Sequence, residues 1–416
     1  MTEGNAAPGG PGPWNTAPPG HADWIQDQLG ELLAFCAAAA DWHGGGFGGL
    51  TITGRRQPGP KPLYATARMT YGFTLGAMLG RPGCAELAEH GLHALRTSFH
   101  DDSHGGWFAE LSGDARSVTV ARKDTYGHAF VLLAASTAAQ AGLAAGDLLR
   151  EATETFERWL YDETATLCVD SWDEGWHKPD SYRGLNANMH AVEAFLAAYC
   201  ATRQTAYLRR AEAISGRLIS FAAAQQWRIP EHFTADWQPL PDYNCGRPDD
   251  GFRPFGATPG HGLEWARLLM QLRLVPQSEA GGLLAAATEL FQRAVADGWD
   301  RSRCGFAYTV DWQGREVSSQ RLHWPLAEAI GAARYLEAAT GEPGYADWYA
   351  TFWRVADRWF VDRQGGSWWH ELDTDGRPAR TIWPGKSDLY HALNALLLSL
   401  LPPGPAVGAA LAARGD

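Results

Sequence analysis

Six places along the 416-residue sequence carry groups fit for proton transfer or charge stabilisation, each at the front of an Ala/Leu-rich stretch. They are Arg68, Tyr126 with His128, Asn186 with His190, His261 with Glu264, His323 with Trp324 and Glu328, and Asp388 with His391. An imidazole changes charge near neutral pH, so it serves as a general acid or base, and a carboxylate beside it fixes its tautomer and raises its basicity. In PGHGLEW, His261 and Glu264 stand three apart, and in KSDLYH, Asp388 and His391 do the same; on a helix each pair shares a face. The spacing predicts Glu264 as the support of His261. In RGLNANMHAVEAF, Asn186 and His190 are four apart and His190 and Glu193 three apart. A plain alternative makes Asn186 or Asn188 a helix cap and His190 a satisfied core residue. Three imidazole sites in register are hard to explain as three independent caps. Arg68, in YATARMTYGF, is an isolated cation in apolar text, so it pairs with a carboxylate such as Glu264 or Glu328, or it faces a wet cavity. Trp324 and Glu328, four apart, place a ring and a carboxylate side by side.

The interval between these places is about 60 to 70 residues over nearly the whole chain, the mark of repeated supersecondary units whose like positions converge. MHAVEAFLAAYCA aligns Val192, Phe195, Leu196 and Tyr199 on one stripe, and HALNALLLSLL is almost wholly apolar, as in helices buried on most sides. ELAEHGLHALRTSFH and YLRRAEAISGRLISFAA keep a charged face and belong outside. Between them lie aromatic and Gly-rich connections such as WHGGGFGGL, DSHGGWFAELSGD and GGSWWHELDTDGRPA, where the period becomes alternating. Six inner and six outer helices closing on themselves predict an all-α fold, an (α/α)6 barrel of six helical hairpins with short β-hairpin-like connections. An open solenoid is the alternative. The barrel is expected over residues 21–404, with a disordered tail at 1–20 and a second tail at 405–416.

Composition narrows the partners. A formal net charge of −12 with no basic stripe argues against nucleic acid. No apolar run approaches the roughly 20 residues that a bilayer span needs. The Gly/Pro/Ala-rich first twenty residues lack the form of a secretory signal. Cys36, Cys84, Cys168, Cys200, Cys245 and Cys304 are scattered without a C-x-x-C pair, which suits free, mostly core thiols in a reducing compartment, so a cytoplasmic location is expected. The sequence contains 19 tryptophans, several in the connections (Trp42, Trp107, Trp172, Trp176, Trp312, Trp368, Trp369). Aromatic faces stack on sugar C–H groups, so a Trp-lined mouth points to carbohydrate, although packing of loops accounts for most single cases. HDDSH, at 100–104, reads as turn chemistry rather than a metal site, and there is no P-loop, H-E-x-x-H or dinucleotide fingerprint.

The strings R-x-x-Y-x-F (Arg68 to Phe73), K-D-x-Y-G-H-A-F (Lys123 to Phe130), R-G-x-N-A-N-M-H (Arg183 to His190), P-G-H-x-x-E-W (Pro259 to Trp265) and K-x-D-L-Y-H-A (Lys386 to Ala392) resemble the N-acylglucosamine 2-epimerase superfamily. Within it they are most similar to the aldose–ketose isomerase branch of mannose and sulfoquinovose isomerases, over about residues 22–402. The resemblance implies an (α/α)6 barrel, a monosaccharide substrate, no cofactor, no metal, and two histidines for proton transfer, matched here by His261 and His391. It gives Arg68, Tyr126, Asn186, His190 and Glu264 to holding the sugar or supporting catalysis, with Trp324, Glu328 and Asp388 beside them as substrate-binding candidates. His391 is followed by Ala392 and Leu393 rather than the Asn of the cellobiose 2-epimerase pattern, which weakens a disaccharide reading.

Removal of a C–H next to an aldehyde needs a base poised near neutral pH and donors for the enediolate oxygens, which this residue set offers. The reaction that the resemblance implies is interconversion of D-mannose and D-fructose, with D-lyxose and D-xylulose as a further pair, through ring opening and a cis-enediolate. Alternatives are a sugar 2-epimerase, a sulfoquinovose isomerase, a glycoside hydrolase using Glu264 and Glu328, and a non-catalytic sugar-binding scaffold. A monomer or homodimer is expected. His128 and His323 are assigned structural or supporting places.

Overall fold

The computed structural model describes residues 20–300, 302 and 305–414. The expected tail at 1–20, except for Gly20, and Cys304 lie outside the described residues.

Six helices form an inner ring: α2 (Leu63–Met78), α4 (Thr125–Gln140), α6 (Leu185–Thr202), α8 (Pro259–Arg273), α10 (His323–Thr340) and α12 (Tyr390–Leu400). Each packs against the next, and α12 returns to α2, so the ring closes and the open solenoid is set aside. Each also has an outer partner: α1 (His21–Ala37) on α12, α3 (Cys84–Arg96) on α2, α5 (Gly146–Thr155) on α4, α7 (Thr205–Ala224) on α6, α9 (Leu283–Gly298) on α8 and α11 (Pro343–Val355) on α10. The two layers follow from the residue pattern. Along α4, every residue from Gly127 to Ala138 is buried, whereas α3 buries one stripe, including Leu87, Ala88, Leu92 and Leu95, and turns its charged residues outward. Three outer-to-inner features seal the start of α4: a two-residue strand before it, an Asp124 side chain accepting from Gly127 N at 2.7 Å, and Thr125 N bonded to Asp170 O.

The two residues ahead of most inner helices pair antiparallel with the following connection, as Lys61–Pro62 with Glu110–Leu111, Lys123–Asp124 with Ser171–Trp172, Arg183–Gly184 with His232–Phe233, and Arg321–Leu322 with Glu371–Leu372. Ahead of α8 the pairing shrinks to a bridge from Ala257 to Val310, beside Gly256, whose positive φ of 89° and 2.2 Å gap from a would-be Cβ to Val310 O admit no side chain. These ties hold five of the six inner-helix starts at one end of the barrel, and Lys386 N bonded to Leu50 O at 3.2 Å holds the sixth.

Buried ion pairs reinforce them. Lys61 Nζ meets Asp41 at 2.7 Å, Lys123 Nζ meets Asp101 at 2.8 Å, and Lys386 Nζ meets Asp362; all three lysines are buried. Each aspartate also takes backbone N–H groups of its own turn, such as Gly44, Ser103 and Gly365, so one carboxylate folds the turn and grips the next inner helix. HDDSH is therefore the turn half of such a clamp.

The segment expected to be a tail at 405–416 is corrected. Val407–Ala412 form α13, burying Val407 and Leu411 against α2, α4, α6 and α12 across the end opposite the helix starts. Residues four apart put both apolar side chains on one face.

Removing one member of a buried pair leaves an uncompensated charge, at a cost of about 3–5 kcal/mol. We expect Asp101→Ala to lower unfolding free energy by about 3 kcal/mol in guanidinium titration, and Asp101→Leu combined with Lys123→Met to recover most of it.

Candidate active site

The inner-helix starts enclose a cavity of about 410 Å³ lined by Arg68, Tyr126, Asn186, His190, His261, Glu264, His323, Trp324, Asp388 and His391, among others. The register read from sequence thus brings one group from every inner helix to a single space. Glu328 stands just behind it and His128 falls elsewhere, its Nδ1 on Asp124 O at 2.7 Å and its Nε2 accepting from Trp107 N at 3.2 Å.

His261 and His391 are built alike. His261 Nδ1 lies 2.8 Å from Glu231 Oε1, and His391 Nδ1 lies 2.9 Å from Glu328 Oε1. A carboxylate on Nδ1 draws the ring proton there and leaves Nε2 as the free basic nitrogen. The Trp324 ring stands between the two imidazoles, its centroid 5.2 Å from that of His261 and 5.7 Å from that of His391.

The partners differ from those that spacing predicts. Glu264 does not support His261; it sits one turn deeper, bonded to Arg267 at 3.3 Å and 3.9 Å from His190 Nδ1. Glu231, in the connection before α8, takes its place. Asp388 likewise does not orient His391. Its Oδ2 accepts from His323 Nε2 at 3.1 Å, and its Oδ1 lies 3.9 Å from Arg68 Nη1. Arg68 pairs with neither Glu264 nor Glu328; it donates to Tyr126 OH at 2.7 Å, stacks 4.2 Å from the Phe130 ring centroid, and faces the cavity. His323, expected in a structural or supporting place, joins the cavity wall, stacked on His370 at 4.3 Å between centroids and bonded to Asp388.

Asn188, not Asn186, ties the start of α6, bonding Cys168 N at 2.7 Å and Gly184 O at 2.9 Å. Asn186 lines the cavity with its buried Oδ1 unpartnered among the described residues. The seven connection tryptophans singled out in the sequence stay out of the cavity, Trp107 donating to Leu95 O and Trp312 to Pro241 O, while Trp324 and a further connection residue, Trp383, line it. Phe252 packs on Tyr64, Tyr126 and Trp383 at the rim.

Beneath the cavity lies Arg267, which sequence reading missed. It is fully buried and reaches Glu328 at 2.7 Å, Glu193 and Glu264 at 3.3 Å each, and Gln271 at 2.9 Å. In EWARLL it looks like an ordinary surface arginine of an amphipathic helix. Glu193 also accepts from Tyr390 OH and lies 3.5 Å from His190 Nδ1.

One cation cannot neutralise three carboxylates, and their proton affinities split accordingly. Burial, together with Glu328 and Glu193, drives Glu264 well above the usual carboxylate range against the pull of Arg267. For Glu193 and Glu328 burial acts upward too, but Arg267 and the neighbouring imidazoles outweigh it and hold both below that range. Burial pulls His190 down to about 4 and takes His391 below 6.5, in the latter case against Asp388 and Glu328. The site therefore favours the neutral form of the His190 and His391 imidazoles and the protonated form of Glu264, a set suited to taking a proton from carbon and donating hydrogen bonds to oxygen.

The sequence profile of the N-acylglucosamine 2-epimerase (GlcNAc 2-epimerase) family matches residues 45–395. The chain belongs to that family. This member of the N-acylglucosamine 2-epimerase family is 43% identical over 402 residues to a D-mannose isomerase of Pseudomonas cannabina pv. alisalensis, covering 95% of this chain and 96% of the relative. It is 43% identical over 406 residues to a D-mannose isomerase of Thermobifida fusca, covering 96% and 99%. Its fold superposes on a crystal structure of a D-mannose isomerase with a TM-score of 0.85 at 29% identity, covering 92% of this chain and 99% of the other. A cellobiose 2-epimerase from Spirochaeta thermophila shares the barrel at a TM-score of 0.77 and 23% identity.

Two outcomes follow from the geometry. Glu231→Gln lowers kcat about 100-fold by freeing the His261 ring, in steady-state assays of sugar turnover. A base held below 6.5 stays neutral until the medium is more acidic than that. The acid limb of the kcat–pH profile thus lies below pH 6.5, and Glu328→Gln, which removes a group that raises His391, moves the limb lower still.

Proposed function

We propose that the chain is an aldose–ketose isomerase that interconverts D-mannose and D-fructose, with the monosaccharide held in the cavity at the inner-helix starts. The observation that carries this reading is the pair of carboxylate-supported imidazoles, Glu231–His261 and Glu328–His391, flanking Trp324 in a space of about 410 Å³. D-lyxose and D-xylulose, which lack the C6 hydroxymethyl group, are a second pair within the same chemistry.

In this reading the sugar opens with O1 and O2 towards Arg68, Tyr126 and Asn186. His391, neutral and fixed through Nδ1, takes the C2 proton on Nε2; the C2–H electron pair forms the C1–C2 double bond and the negative charge passes to O1. The resulting cis-enediolate receives the proton back from His391 at C1. His261 moves the O2 proton to O1, so no atom is gained or lost. The six inner helices direct their positive N-terminal ends at the enediolate, each the equivalent of about half an elementary charge. The ionised Asp388, beside Arg68 and His323, sets the orientation of the guanidinium.

The supporting relatives are D-mannose isomerases, and no helix among the described residues is long and apolar enough to cross a membrane. Four of the five free cysteines among the described residues are buried and Cys245 is exposed, which fits a cytoplasmic location.

Incubation with D-mannose, followed by NMR, gives fructose as the first product, and His391→Ala lowers the rate by at least about 100-fold. Glucose as the sole early product identifies a 2-epimerase instead, and turnover that survives both His261→Ala and His391→Ala removes the mechanism.

A further inference from the structure

The closed end of the barrel holds a connection to the site that the reaction scheme leaves unused. After α12 the chain turns at Gly404 and lays α13 across that end. Tyr335 OH, on α10, donates to Gly404 O at 2.8 Å and accepts from Gly404 N at 3.2 Å and from Gln271 Nε2 at 3.4 Å. Gln271 Oε1 in turn accepts from Arg267 Nη1 at 2.9 Å, Arg267 Nε donates to Glu328 at 2.7 Å, and the other oxygen of Glu328 holds His391 Nδ1 at 2.9 Å. An unbroken run of hydrogen bonds therefore joins the C-terminal segment to His391. The seam under α13 reaches the same layer, since Tyr71, Glu193 and Gln271 face Val407 and Gly408 across it.

We propose that the segment Gly404–Ala412 is a positioning element of the catalytic site: it seals the closed end of the barrel and, through Tyr335 and Gln271, fixes Arg267 where that guanidinium sets Glu328 and His391. The inference rests on His391 being the base that moves the carbon-bound proton. A sealed end keeps water from a layer in which one guanidinium faces three carboxylates, and water there would weaken every one of those ion pairs. Loosening the plug acts on His391 in one direction. It lessens the burial that holds the imidazole down, and it releases Arg267 from Glu328, whose freed charge favours the imidazolium. Both raise the proton affinity of His391.

The test uses the full chain with Tyr335→Phe, which deletes one hydroxyl and keeps the ring, and Leu411→Asp, which unseats α13. His391 is faced by Asp388 just ahead of its own helix and Tyr390 within it, by Arg68 of α2, by Glu328 and His323 of α10, and by His370 of the last connection. Behind it stand His190 and Glu193 of α6 and Glu264 and Arg267 of α8. Neither substitution alters any of these groups, so a move of the acid limb belongs to the plug. We expect kcat to fall about five-fold in Tyr335→Phe with KM nearly unchanged, the acid limb to move to higher pH, and Leu411→Asp to do the same more strongly. A lower melting temperature with kcat and the acid limb as in the parent overturns the proposal; if Leu411→Asp does not fold, Tyr335→Phe alone decides. His391→Ala separates the two ideas: inactive His391→Ala with a silent Tyr335→Phe defeats the plug alone, whereas active His391→Ala defeats the assignment of the base.

Discussion

Everything above the closed end of the barrel depends on Arg267 and the three carboxylates around it. Burying an ion in protein costs several kcal/mol even after relaxation, so a lone guanidinium could not occupy this place. With Glu328, Glu193 and Glu264 as partners it can, and the excess of negative charge then has to be resolved by protons. Glu264 is pushed towards its protonated form, Glu193 takes a hydrogen bond from Tyr390, and Glu328 takes one from His391. The protonation states of the cavity wall are set from below.

The barrel supplies the other half of the design. Six parallel helix starts bring six short polar segments together and point their dipoles at one volume. Such a convergence favours negative charge, which an enediolate carries and a resting sugar does not. The starts must be held rigidly, and the Asp41–Lys61, Asp101–Lys123 and Asp362–Lys386 clamps do so from the connections. In the fourth connection Glu231 holds His261, while its backbone carbonyl takes Leu185 N as those of Ala109, Asp170 and His370 take the starts of α2, α4 and α10, so this connection adds a chemical group to a structural tie.

Much of this was legible in the residues. The repeat with polar groups in register gives the ring of helices and nine of the ten residues proposed for the site as cavity lining, because both follow from equal spacing in equal units. The pairings among those residues were not legible. His261 and Glu264 are near in sequence, yet one turn along an inner helix is a step from the cavity into the floor, and Glu231 arrives from 30 positions away. Glu328 and His391 are 63 positions apart on adjacent helices, a contact that only the packing of neighbouring inner helices creates. Arg267 and α13 escaped for a related reason: a lone arginine and a short Ala/Gly-rich end look solvent-exposed until the barrel supplies what covers them.

The central claim is that one imidazole, His391, carries a proton between C2 and C1 on one face of a cis-enediolate. The most direct measurement is the stereochemistry of deuterium at C1 of fructose formed from D-mannose in deuterated water, read by proton NMR. The account predicts deuterium at only one of the two C1 positions. Equal labelling of both would contradict it.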